Sequence, residues 1–173
     1  MTVNRVYLDT CCFIESVKSE VGNAQPGRES DIWYIKQLLE ASKNGDIEVI
    51  TSYLTIAEFR GVGAPLTDEI KRIIRSVMSS GKIVKLAQLS RGTAELARDL
   101  HWVHSINLGG ADAVHVATAL NTECKEFISF DGGKRKSPLK FFAELKKLGI
   151  LAVEPARTTF LPPEYRQQKL PHE

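Results

Sequence analysis

Five short apolar runs, at 6–8, 47–51, 83–86, 127–130 and 150–153, are each separated from the next by helix-patterned sequence. Each reads as a buried strand. Strands that alternate with helices assemble most economically into a parallel sheet with helices on both faces, which makes the predicted fold class α/β. In such sheets ligands bind beyond the carboxyl ends of the strands. That rule singles out Asp9, which ends the run Val6-Tyr7-Leu8, and Asp131, which ends Phe127-Ile128-Ser129-Phe130.

The intervening sequence carries helix signals. Residues 11–17 begin a helix, and 18–30 read as a polar loop, either a flexible insertion or a gate over a site. Ser30 or Asp31 caps the next helix, whose apolar side is Ile32, Ile35, Leu38 and Leu39, and Asn44-Gly45 stops it. Ser52 caps a helix carrying Glu58, and Thr67 caps one that runs through Met78. Ser90 or Thr93 begins one that reaches about His104. The stretch Gly110-Ala111-Asp112-Ala113-Val114-His115-Val116-Ala117-Thr118-Ala119-Leu120 forms a helix over about 110–122 with Val116, Ala119 and Leu120 on one face. Ser137-Pro138 opens a helix to Lys147. The domain spans 1–155. A tail, 156–173, carries Pro162, Pro163 and Pro171 and either wraps on the surface or stays disordered.

A chain of 173 residues fits one domain with a proper core. The formal net charge of +2 supplies no global basic field, so any nucleic-acid contact has to come from local patches. Three cysteines without C-x-x-C spacing give neither a disulfide framework nor a zinc site, which predicts a reducing, cytoplasmic setting. No segment is long and apolar enough for a membrane span or a signal peptide.

The chemistry rests on Asp9, Glu58, Asp112 and Asp131, each beside apolar sequence where a surface carboxylate is least expected. Taken singly, each has a bland explanation as a cap or a solvated charge. If they converge, two carboxylates about 4 Å apart repel by roughly 4 kcal/mol at an effective dielectric near 20. A shared pocket then requires protonation or a cation. Oxygen donors without histidine or thiolate suit magnesium or manganese. Such ions activate water and stabilise in-line phosphoryl displacement, so the substrate implied is a phosphodiester.

The motifs Tyr7-Leu8-Asp9-Thr10-Cys11, Leu54-Thr55-Ile56-Ala57-Glu58, Ala111-Asp112-Ala113-Val114-His115-Val116-Ala117-Thr118-Ala119 and Ile128-Ser129-Phe130-Asp131 resemble, in order and separation, those of the PIN-domain nucleases. The resemblance covers about residues 4–153 and is nearest to the VapC-like ribonuclease toxins of prokaryotic toxin–antitoxin pairs. It implies a three-layer α/β/α sandwich with a central parallel sheet and a Mg2+- or Mn2+-dependent endoribonuclease acting on RNA. It also implies a small antitoxin protein as inhibitor, and a homodimer. Carried over by position, Asp9, Glu58, Asp112 and Asp131 are the metal-site acids, with Asp9 and Asp112 as direct ligands. Asp131 acts through water or a second ion. Glu58 does the same or positions the nucleophile. Thr10 orients the first acid or a metal-bound water, and Ser129 fills a position usually held by a small hydroxyl residue. The loop 18–30, the tail and Gly132-Gly133 depart from the compact pattern and bear on partner and substrate.

Lys134, Arg135 and Lys136 follow Asp131, and read either as rim contacts for RNA phosphates or as a solvated loop. His115 lies one turn after Asp112. A packed, hydrogen-bonded histidine is the preferred reading over a general base. Cys11 and Cys12 read as small buried residues. Two further functions compete with the toxin: an RNA-processing PIN nuclease, and a catalytically silent module that binds RNA or protein.

Overall fold

A computed structural model describes residues 3–61, 65–79, 81–130 and 135–167. The strands are β1 (Asn4–Leu8), β2 (Ile47–Ser52), β3 (Val84–Ala87), β4 (Glu126–Ile128) and β5 (Leu151–Val153). They form a single five-stranded sheet in the order β3-β2-β1-β4-β5, and every pairing is parallel. The helices are α1 (Thr10–Glu20), α2 (Glu29–Asn44), α3 (Tyr53–Glu58), α4 (Asp68–Ser79), α5 (Arg91–Trp102), α6 (Gly110–Asn121) and α7 (Phe142–Lys147).

Burial on both faces explains the apolar runs within β1, β2 and β4, strands that also carry Arg5, Glu48 and Glu126. Val6 and Leu8 of β1 point into one core, shared with Phe13 of α1, Ile35 and Leu38 of α2 and Met78 of α4. Tyr7, between them, points into a second core with Leu100 of α5, Val116 and Ala119 of α6 and Leu145 of α7. The alternation along one strand therefore sets the three layers, helix on sheet on helix.

The chain runs β1, β2, β3 outward on one side, then returns to place β4 on the other side of β1. The strand order thus reverses at the β1–β4 boundary, and sheets of this kind bind ligands beyond the carboxyl ends at such a point. The backbone bond from Asp9 N–H to the Ile128 carbonyl, 3.0 Å, spans that boundary.

Several boundaries differ from the sequence reading. α1 continues to Glu20, so the loop shrinks to residues 21–28. Lys18 supports the extra turn through its 2.6 Å ion pair with Glu15 one turn back. α2 starts at Glu29 without a side-chain cap, and Asp31 turns its carboxylate to the Ala156 N–H instead. Gly45 ends α2 at φ 86°, a conformation that favours glycine. β4 stops at Ile128, leaving Ser129 and Phe130 beyond the strand. The stretch from Pro138 opens as a 3-10 turn, Pro138–Phe141, before α7.

Between Pro155 and Gln167 the chain packs rather than trails. Leu161 is fully buried in the first core, with Phe160 and Tyr165 against it. Glu126, at the start of β4 and fully buried, accepts from the Thr158 hydroxyl at 2.5 Å and from the Thr159 N–H and hydroxyl at 2.8 and 2.7 Å. Three donors from one segment clamp it to the sheet. Among the described residues, no helix is long and apolar enough to cross a membrane.

Candidate active site

Asp9 caps α1 as β1 ends, its carboxylate accepting from the first N–H of the helix. The side chain is almost fully buried, with the residue 4% exposed. Among the described residues its donors are neutral: the Thr10 N–H at 2.7 Å, the Ser129 hydroxyl at 2.8 Å and the Cys11 thiol at 3.4 Å. Burial pushes the Asp9 carboxyl above its usual value. The nearby His115 ring and these donors pull the other way without prevailing. Cys11 is anchored in turn by the Phe130 N–H, 3.3 Å from its sulfur. Burial drives the Cys12 thiol well up, so it stays protonated, in keeping with a packing role.

Thr10 faces away from Asp9. Its hydroxyl donates to Glu58 Oε2 at 2.6 Å. Glu58 is the last residue of α3, a short helix that Ser52 caps as expected, through the Leu54 N–H at 3.1 Å. Thr55 holds α3 against the sheet through a 2.7 Å bond to Thr51, whose hydroxyl donates to the Leu8 carbonyl at 2.8 Å. Glu58 therefore reaches the β1 end from the β2 side, half-buried.

α6 approaches the same edge from the opposite helical layer. Gly109 precedes it, and a Cβ there would stand 3.2 Å from Asp112 Oδ2, so the missing side chain leaves room for that carboxylate. Asp112 lies in the first turn, where the helix favours negative charge. His115 follows three residues later on the same face. The histidine is 1% exposed, and its Nε2 lies 2.7 Å from Glu58 Oε2 and 3.4 Å from the Thr10 hydroxyl. Its Nδ1 lies 2.6 Å from the Tyr7 hydroxyl.

Direct bonds thus link Asp9, Thr10, Ser129 and Glu58, and His115 of α6 joins them; Asp112 lies three residues before His115 on that helix. Asp131 and Lys134 lie outside the described residues. Arg135 is exposed. Among the described residues, no three His, Cys, Asp or Glu side chains are grouped as they would be around a metal ion.

Sequence reasoning read His115 as a packed, hydrogen-bonded histidine, and missed that one of its bonds is to a candidate acid. It also missed Tyr7 as a functional group. Two signals were available: His115 shares a helix face with Asp112, and Tyr7 puts a hydroxyl inside an otherwise apolar strand.

The PIN domain family matches residues 6–136 of the chain. No curated protein sequence matches it. Among solved structures, that of FitAB bound to an IR36 DNA fragment shares the fold at a TM-score of 0.53 and 16% identity, over 88% of this chain and 96% of that one. The crystal structure of FitAcB from Neisseria gonorrhoeae aligns at a TM-score of 0.49 and 20% identity, over 88% and 99% of the two chains.

Proposed function

The chain belongs to the PIN domain family, and from that premise we propose that it is a Mg2+- or Mn2+-dependent endoribonuclease of the VapC-like toxin type. It hydrolyses RNA phosphodiester bonds in the cytoplasm, and a small antitoxin protein holds it silent.

The observation that carries this reading is Asp9, a buried carboxylate at the reversal point of the sheet whose donors among the described residues are neutral. Such a group is costly to ionise, and a cation supplied from outside offsets that cost. The donor set fits a hard divalent ion. Magnesium keeps several waters and needs only one or two protein carboxylates, so Asp9 and Asp112 suffice without a three-ligand cage. When bound, the ion supplies Lewis-acid polarisation of the phosphoryl oxygens and a more acidic water.

This chain's own residues do the rest. Ser129 and the Thr10 N–H fix the direction of the Asp9 carboxylate. Thr10 and His115 fix Glu58, which serves as a water-orienting acid. Asp131, three residues after β4 in the sequence, completes the acid set in this proposal, and Lys134 and Arg135 give the RNA backbone its cations.

FitAB, solved bound to DNA, supports by analogy a partner whose other half holds DNA. Homodimerisation belongs to the same proposal. One observation favours the rival silent module: Glu58 Oε2 already has two donors from the chain itself.

The deciding experiment is single-stranded RNA cleavage by partner-free protein with manganese, beside Asp112→Asn. Cleavage by the wild type and none by the variant supports the nuclease. Wild-type protein that binds RNA but leaves it whole supports the module, and cleavage that survives Asp112→Asn overturns the site.

A further inference from the structure

Tyr7, His115 and Glu58 form one continuous chain from the interior to the acid edge. Tyr7 is fully buried in β1, with its ring stacked on Phe127 at 5.2 Å. Burial holds its phenol in the protonated form. That O–H is 2.6 Å from His115 Nδ1; with the phenol assigned as the donor there, Nε2 is the ring nitrogen left to donate. Nε2 points at Glu58 Oε2, 2.7 Å away. The Thr10 hydroxyl meets the same oxygen at 2.6 Å.

Glu58 needs such help. It ends a six-residue helix, where the last carbonyls disfavour a negative charge. Its side chain is long, and ordering a free glutamate costs rotamer entropy. Two groups converging on one oxygen fix its rotation. We infer that His115 is a positioning residue: oriented by the Tyr7 hydroxyl, it holds the Glu58 carboxylate in its working orientation at the edge of the sheet. The inference rests on the reading of Glu58 as a site acid. It assigns His115 no proton transfer, since its Nδ1 is closed off by Tyr7.

The first test uses metal-free protein. Long-range 1H–15N NMR of the His115 ring shows Nε2 protonated and Nδ1 bare, and Tyr7→Phe lets the two tautomers average. A wild-type ring with no proton on Nε2, or with tautomers already averaging, overturns the inference.

The second test is kinetic. His115→Ala lowers kcat for RNA cleavage by about 10–100-fold, the usual loss when a group that orients a metal-site ligand is removed, while KM changes little. His115→Gln returns an N–H near the place of Nε2 and recovers part of that loss. In a Glu58→Gln background, His115→Ala costs nothing further, because the histidine acts through Glu58. Equal losses in both backgrounds, or a glutamine variant no better than alanine, overturn it. The two readings fail differently. An intact tautomer with no cleavage removes the nuclease, whereas cleavage with averaged tautomers removes the positioning role.

Discussion

Two acids on neighbouring strands meet opposite fates. Glu48 stands near the start of β2, in register with Arg5 of β1. Arg5 Nε approaches its Oε2 to 2.9 Å, and Lys85 of β3 pairs with its other oxygen. The Lys85 and Arg5 bonds hold the Glu48 carboxyl below its usual range. Asp9, at the far end of β1, meets a hydroxyl, a thiol and a backbone amide, and burial lifts its carboxyl above the usual range. At the amino edge the chain supplies its own cations. At the carboxyl edge the donors to Asp9 among the described residues are dipoles, and under the proposed function a bound cation meets its charge. Cavity size does not make this distinction: a hollow of about 580 Å3 opens at the amino edge, lined by Arg5, Glu48, Glu123 and Lys125. Its volume suits a ligand, but its acids are already paired.

The largest expected effect is on cleavage. Asp9→Asn and Asp112→Asn each lower kcat by about 10²–10³-fold or more, as the loss of several kcal/mol of charge stabilisation requires. Glu48→Gln leaves kcat unchanged. A cleavage assay of the three variants breaks the comparison if Glu48→Gln falls with the others.

Next comes the response to cation. At 100 times its Kd, a ligand that binds only the folded state stabilises by about 2.7 kcal/mol. For a chain of this size that raises Tm by about 5–10 °C. Scanning calorimetry with magnesium shows the rise in the wild type and in Glu48→Gln, but not in Asp9→Asn.

A smaller effect concerns pH without metal. Folded Asp9 holds its proton more tightly than the unfolded chain does. Wild-type stability therefore falls as pH climbs from the ordinary aspartate value through the raised folded one, and Asp9→Asn abolishes that fall. At neutral pH the inactive variant melts higher than the wild type. Glu48 has the opposite sign. Its contribution is complete above the ordinary glutamate value and disappears as pH drops through its lowered folded value. The smallest effect follows: Glu48→Gln lowers stability by under about 1 kcal/mol, because its partners Arg5 and Lys85 are substantially solvent-exposed. Urea titration of both variants from pH 3 to 8 checks the two signs.

The layers were legible because each apolar run is buried on both faces, and Val6-Tyr7-Leu8 divides its side chains between two cores. The helix caps at Ser52, Thr67 and Ser90 were legible because a hydroxyl meets a nearby N–H in the first turn. The α2 start was not, since Asp31 is drawn to Ala156 more than a hundred residues away, and local sequence carries no record of that bond. The clamp on Glu126 was hidden for the same reason: its three donors come from a segment whose prolines read as tail. Asp9 and Glu58 stood out as acids in apolar company. The Tyr7–His115–Glu58 chain did not, because it joins two helices across a strand, and only the folded register of β1 aims the hydroxyl at the ring.

The most direct test is a crystal soaked in manganese and measured for anomalous scattering. The account expects a peak between the carboxylates of Asp9 and Asp112, absent in Asp9→Asn crystals. A peak only among the paired charges of Glu48 and Glu123, or none at the carboxyl edge at saturating manganese, contradicts it.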